Sequence, residues 1–147
     1  MKIVVGSDHG GLEYKNAIKE HLLAQGHEVI DVGTYSKESC HYPTYAFLAA
    51  EKVANKEAHF GFLVCTTGEG IMIAANKVKG VRAAVGYNDR VSAKAREHND
   101  ANILTFGQGE MELKDVLRRV DIFLTTPFSH EGRHGLRVKL ITDYEKL

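Results

Sequence analysis

The sequence has no excess of charge of either sign: 19 Lys plus Arg stand against 19 Asp plus Glu, a formal net charge of zero with histidine neutral. That excludes the broad electropositive field of a nucleic-acid or anionic-membrane binder, so any basic function must be local. Cysteine is scarce as well, with Cys40 and Cys65 the only two in 147 residues. A chain of this length buries roughly 70% of the surface it exposes when unfolded, a core large enough to need no disulfide or metal staple. No apolar run approaches the roughly 20 residues of a membrane span. The start, Met1-Lys2-Ile3-Val4-Val5-Gly6, lacks the long apolar stretch and cleavage site of a signal peptide. Internal repeats, low-complexity segments and linkers are absent too. The expectation is one soluble, cytoplasmic domain over residues 1–147, with no nucleic acid and no membrane among its partners.

What is present is an alternation of short apolar runs and amphipathic stretches. Residues 2–5 read as a strand that stops at the turn Gly6-Ser7-Asp8-His9-Gly10-Gly11. A helix carrying Leu12, Ile18, Leu22 and Leu23 follows and ends at Gly26, before an extended segment at 27–32. Residues 33–42 have no periodicity, and Pro43 suits the first turn of a helix through Ala46, Leu48, Ala49 and Val53. A strand at 60–65, a turn at 66–70 and a short helix at 71–77 repeat the pattern. Strands at 81–86 and 102–106, a helix at 89–98 and helical stretches near 110–125 and 130–146 complete it. Such alternation implies an α/β fold, a Rossmann-like three-layer sandwich with a five-stranded parallel sheet. Ligands of these sheets bind beyond the carboxyl ends of the strands. On that expectation Ser7-Asp8-His9, Cys65-Thr66-Thr67 and His98-Asn99-Asp100 are the segments to search.

The first turn lacks the G-x-G-x-x-G spacing of a dinucleotide site although Asp31 lies about 20 residues on. Asp8 would repel a pyrophosphate; Asp8 and His9 suit sugar hydroxyls or a phosphate, or form a turn held by an Asx bond. Cys65 ends an apolar strand before a Gly-rich turn that opens a helix, where backbone N–H groups favour a thiolate and bind anions. A buried core cysteine is the plain alternative. A C-x5-R phosphatase loop is excluded, because Ile71 stands six residues after Cys65. Arg133 and Arg137 are one helical turn apart and read either as solvated or as a clamp for an anion. His130 and His134 have the spacing of a helical metal pair, but the flanking arginines would repel a cation. His98 reads as a helix C-terminal charge partner or as an acid/base near neutral pH.

Taken in order, these segments resemble the ribose-5-phosphate isomerase B and galactose-6-phosphate isomerase family. The likeness is carried by residues 6–11 and 26–34, Tyr42-Pro43, Cys65-Thr66-Thr67-Gly68-Glu69-Gly70, residues 74–77, Arg96-Glu97-His98-Asn99-Asp100-Ala101-Asn102, and Gly132-Arg133-His134. The resemblance implies an aldose–ketose isomerase of phosphorylated sugars that uses no metal and no organic cofactor. It implies Cys65 as the base, Thr67 orienting the sugar, and the backbone of Thr66, Gly68, Glu69 and Gly70 holding a developing oxyanion. It further implies His98 as the ring-opening acid/base and Asp8, Tyr42 and Asn99 as sugar contacts. His9, Arg133 and Arg137 match the phosphate clamp, assisted by His134. A homodimer or dimer of dimers with sites shared across the interface is implied as well. The chain departs from the family pattern at Thr66, Glu69 and His41, and near Gly109 where an arginine is expected. A hexose-6-phosphate substrate, or a non-catalytic sugar-phosphate-binding subunit, therefore stand as alternatives.

Overall fold

The computed structural model describes Met1–Leu147. Five strands, β1 (Lys2–Ser7), β2 (Glu28–Asp31), β3 (Phe60–Cys65), β4 (Ala83–Val85) and β5 (Ile103–Gly107), form one sheet in the order β2-β1-β3-β5-β4. Every pairing is parallel, with Val5 opposite Phe62 and Cys65 opposite Gly107. Four helices cross over between the strands, α1 (Leu12–Ala24), α2 (Tyr42–Ala54), α3 (Glu69–Ala75) and α4 (Asp89–Glu97), and two follow the last strand, α5 (Leu113–Thr125) and α6 (Gly132–Glu145). The expected α/β Rossmann-like sandwich is therefore present, and no helix is long and apolar enough to cross a membrane.

The strand pleat sorts the apolar side chains into two cores. Ile3, Val5, Phe62, Val64, Leu104 and Phe106 face α1 and α5 through Ile18, Leu22, Val116, Val120 and Phe123. Val4, Leu63, Cys65 and Ile103 face α2 and α3 through Ala46, Ala49, Ala50, Val53, Ile71 and Ala75. Burying one such large apolar side chain contributes about 1.5–3 kcal/mol, so the two layers carry most of the fold's stability. The fully buried alanines of α2 let that helix lie close to the sheet, which brings Tyr42, at its amino end, over the α3 turn.

Several element ends fall elsewhere than the apolar pattern suggests, each for a local reason. Helix α3 starts at Glu69 because Gly68 takes a left-handed conformation, and it stops at Ala75 because the Asn76 amide turns away to bond the backbone of Ala83. Strand β4 is only three residues long. The side chain of Asn102 accepts the Arg82 N–H in place of a backbone partner. Pro43 does sit in the first turn of α2, and Gly26 is left-handed just past α1.

Asp31, placed where a ribose-binding acid would stand, is consumed by the fold. Lys15 is 1% exposed and gives its ammonium to both carboxylate oxygens of Asp31, at 2.9 and 3.1 Å, and to the Thr34 carbonyl at 2.6 Å. Burial pushes the Asp31 carboxyl up, but the hydrogen bonds from Lys15 and the Gly33 N–H and the charges of Lys15 and Lys19 outweigh it, and the net effect is downward. The stabilisation is therefore present above the ordinary carboxylate pKa and is lost as pH falls through the lower folded value.

Asp31→Ala leaves the Lys15 ammonium buried without its partner and is expected to cost about 3–5 kcal/mol by urea unfolding at pH 7. Lys19→Met, which removes the more exposed partner, should cost no more than about 1 kcal/mol. Equal losses in the two variants would contradict this account of the buried pair.

Candidate active site

The order β2-β1-β3 makes the chain turn one way after β1 and the other way after β2, so a crevice opens between the carboxyl ends of β1 and β3. A cleft of about 190 Å³ lies there, lined by Asp8, Tyr42, Cys65, Thr66, Thr67 and Gly70. Each arrives from a different local cause. Asp8 caps the short 3-10 turn at His9–Gly11, its carboxylate accepting the Gly10 N–H at 3.0 Å. The Asx reading of that turn therefore holds, and Asp8 still borders the cleft. Cys65 is the last residue of β3 and is buried, with its sulfur accepting the Gly68 N–H at 3.1 Å.

The loop after Cys65 is held from three sides. Its carbonyls at Cys65 and Thr66 accept the N–H groups of Gln108 and Gly109, both at 2.9 Å. The buried Thr105 hydroxyl donates to the Gly68 carbonyl at 2.8 Å. Gly68 has φ +83°, and a Cβ on it would lie 2.9 Å from the Phe106 carbonyl carbon, so no other residue fits without displacement. Inside this frame Thr67 Oγ1 accepts the Glu69 N–H at 3.2 Å. The N–H groups of Thr66, Thr67 and Gly70 have no acceptor within the protein. Three unpaired donors beside a sulfur can hold negative charge as it develops.

Sequence reasoning did not foresee Thr105, although a threonine in the apolar run Ile103-Leu104-Thr105-Phe106 signals a buried hydroxyl that needs a partner. It also left Cys40 without a role. The Cys40 backbone N–H donates to His9 Nδ1 at 3.2 Å, which leaves Nε2 as the proton-bearing nitrogen of the neutral ring. The two departures at Thr66 and Gly109 are neighbours: a Cβ at position 109 would meet the Thr66 methyl at 2.9 Å. Glu69 is exposed and does not line the cleft.

The remaining candidates lie elsewhere, which corrects the expectation that His98-Asn99-Asp100 shares the carboxyl edge. That segment precedes β5, and Asn102 accepts the Gly61 N–H at the start of β3. It therefore sits at the amino edge, opposite Cys65. At about 3.3 Å per residue the intervening strand is on the order of 16 Å long, too far for one chain to bring His98 to the thiol. Arg133, His134 and Arg137 are on α6, and the His134 ring stacks on His98. His130 falls before α6, so His130 and His134 are not a helical metal pair. Asn99 borders the largest cavity, about 500 Å³, between β4 and the end of α6. Its ionic groups are already engaged, Arg82 by Asp100 and Glu145 by the Gly80 N–H, so this cavity offers apolar walls and no reactive group.

A parallel α/β sheet with a thiol, unpaired N–H donors and polar side chains at its switch point defines a small-molecule enzyme. A family model described as Ribose/Galactose Isomerase matches residues 3–141, and the chain belongs to that family. It is 43% identical to ribose-5-phosphate isomerase B of Escherichia coli over 145 residues, covering 99% of this chain and 97% of that protein. The structure of the Clostridium thermocellum ribose-5-phosphate isomerase B superposes with a TM-score of 0.96 at 47% identity, covering 99% of this chain and 98% of the other. That of the Mycoplasma genitalium enzyme with bound ribulose-5-phosphate gives 0.93 at 40%, covering 99% and 96%.

Gly68→Ala is expected to destabilise the protein by more than about 1 kcal/mol, because alanine opposes the positive φ and its methyl meets the Phe106 backbone. An unchanged urea midpoint would show that the loop tolerates another conformation.

Proposed function

We propose that this protein interconverts ribose 5-phosphate and ribulose 5-phosphate, as a cytoplasmic homodimer, with Cys65 as the base. The observation that carries the reading is the Cys65 sulfur at the cleft beside the unpaired N–H groups of Thr66, Thr67 and Gly70. The thiolate takes the C2 proton of the open-chain aldose. The C–H electron pair becomes the C1–C2 double bond, and the carbonyl oxygen gains the charge that those N–H groups hold. The thiol then returns the proton to C1, while the O2 proton passes to O1 and leaves a ketone at C2. Electrons and atoms balance without an external carrier. Asp8, Tyr42 and Thr67 contact the sugar hydroxyls.

The phosphate clamp of His9, Arg133 and Arg137, the ring-opening His98 and the sugar contact Asn99 are divided between the two edges of the sheet. A two-fold pair of chains unites them, each chain giving its amino-edge group to its partner's cleft. Helix α6 supports this arrangement. None of its residues is buried, and Leu136, Leu140, Ile141 and Tyr144 are 59%, 59%, 50% and 78% exposed along one side. Exposed apolar patches of this kind mark interaction surfaces. Glu69 stands outside the cleft, so the reading in which its carboxylate silences the loop finds no support.

Purified protein assayed on ribose 5-phosphate, allose 6-phosphate and galactose 6-phosphate tests the substrate; the highest kcat/KM is expected for the pentose. Cys65→Ala should lose at least about 10²-fold in kcat, the usual cost of removing a general base. Full activity in that variant would remove Cys65 from the chemistry.

Shared sites predict complementation. Cys65→Ala and His98→Gln, each inactive alone, should regain activity when co-refolded, with roughly a quarter of the sites carrying both native groups in a randomly mixed two-fold dimer. No recovery would mean that each site is built from one chain. Arg137→Ala should raise KM for the sugar phosphate by about 10- to 100-fold, as a charge-assisted bond contributes about 1.5–3 kcal/mol.

A further inference from the structure

We propose that His134 is a positioning residue for His98, stacking on its imidazole and fixing the plane in which that ring meets the sugar, and is not a phosphate ligand. The proposal rests on the reading of His98 as the ring-opening group. The two rings lie face to face, centroids 4.2 Å apart and planes 14° from parallel. His98 caps the end of α4, with its backbone N–H bonded to the Lys94 carbonyl at 2.9 Å. Its ring has no hydrogen bond to fix it, since the Glu97 carboxylate is 3.7 Å from Nε2. The stack is therefore what orients the imidazole. His134 is itself anchored at the first turn of α6, where its N–H donates to the Glu131 carbonyl at 2.9 Å.

The stack also bears on the charge of His98. The groups facing it are Lys94 and Glu97 from α4 and Arg133 and His134 from α6. Partial burial, then His134, Lys94 and Arg133, push the His98 imidazole below its ordinary value, while Glu97 acts the other way. A lowered value leaves the ring neutral at pH 7, the form able to take the O1 proton of the cyclic sugar and return it to the ring oxygen as the C1–O bond breaks. A His134 clamped to phosphate would have no need to lie flat on His98.

The test is a proton NMR titration of the His98 ring, assigned with His98→Gln, in the native protein, His134→Ala and His134→Phe. The native ring should titrate below the ordinary value of about 6.5. His134→Ala should move it upward toward that value, and His134→Phe, which keeps an aromatic face, should hold it lower than the alanine variant does. On ribose 5-phosphate the acid limb of kcat/KM should move up in His134→Ala, lowering the rate several-fold at mildly acidic pH with KM little changed, and His134→Phe should restore it. An unmoved His98 resonance in His134→Ala overturns the proposal, as does a large rise in KM with the acid limb in place. A moved resonance with an unmoved pH profile upholds the stack and instead removes His98 from the chemistry.

Discussion

Strand polarity is the constraint on which this molecule depends. Five parallel strands put every loop that follows a strand on one edge and every loop that precedes one on the other. Chemistry assembled from one chain is confined to one edge. The turn after β1 and the loop after β3 meet at the carboxyl edge and supply Asp8, Cys65, Thr66 and Thr67. The segment His98–Asp100 is fixed at the amino edge by the bonds of Asp100 and Ala101 to the last turn of α4. No side-chain rotation bridges that separation. In the dimer proposed above, a second chain would bring the two sets together without distorting the sheet, and the exposed apolar side chains of α6 offer a surface for it.

At the carboxyl edge, the loop is rigid because its backbone is bonded from outside. Gln108 and Gly109 hold the carbonyls of Cys65 and Thr66, and Thr105 holds that of Gly68. With the carbonyls engaged on one side, the N–H groups of Thr66 and Thr67 are left free of partners. Donors already aimed before charge develops cost no reorganisation during the reaction, which is why such a frame is worth more than mobile donors of the same number.

The architecture was legible in the sequence because its signals are local. Alternating apolar runs and amphipathic stretches mark strand and helix, and Gly26 and Pro43 punctuate them through their own backbone preferences. Cys65 was legible for the same reason, standing at the junction of an apolar strand and a glycine-rich turn. The position of His98 was not. Its neighbours give no sign of which edge of the sheet they occupy; that follows from its lying before β5 and after α4, once both are placed. The anchoring roles of Thr105 and of the Cys40 backbone are invisible for a similar reason, since each acts on a residue more than thirty positions away. Asp31 shows the opposite failure. A carboxylate at a suggestive spacing is spent on Lys15, a partner buried by helix packing that no motif encodes.

The zero net charge acquires its meaning from how the ions are distributed. Of the seven arginines, Arg82 and Arg96 are held by Asp100, and Arg118 and Arg119 by Asp89. Arg90, Arg133 and Arg137 have no carboxylate partner, and the last two stand one turn apart on the exposed helix α6. Two guanidinium groups at that spacing repel by a few tenths of a kcal/mol on an isolated helix. No carboxylate pairs with either, so an anion entering between them gains the attraction of both and the relief of their repulsion. A phosphate, with oxygens placed for paired N–H donors, uses that arrangement more fully than a single carboxylate. A protein neutral overall thus carries two unpaired guanidinium groups one turn apart on an exposed helix.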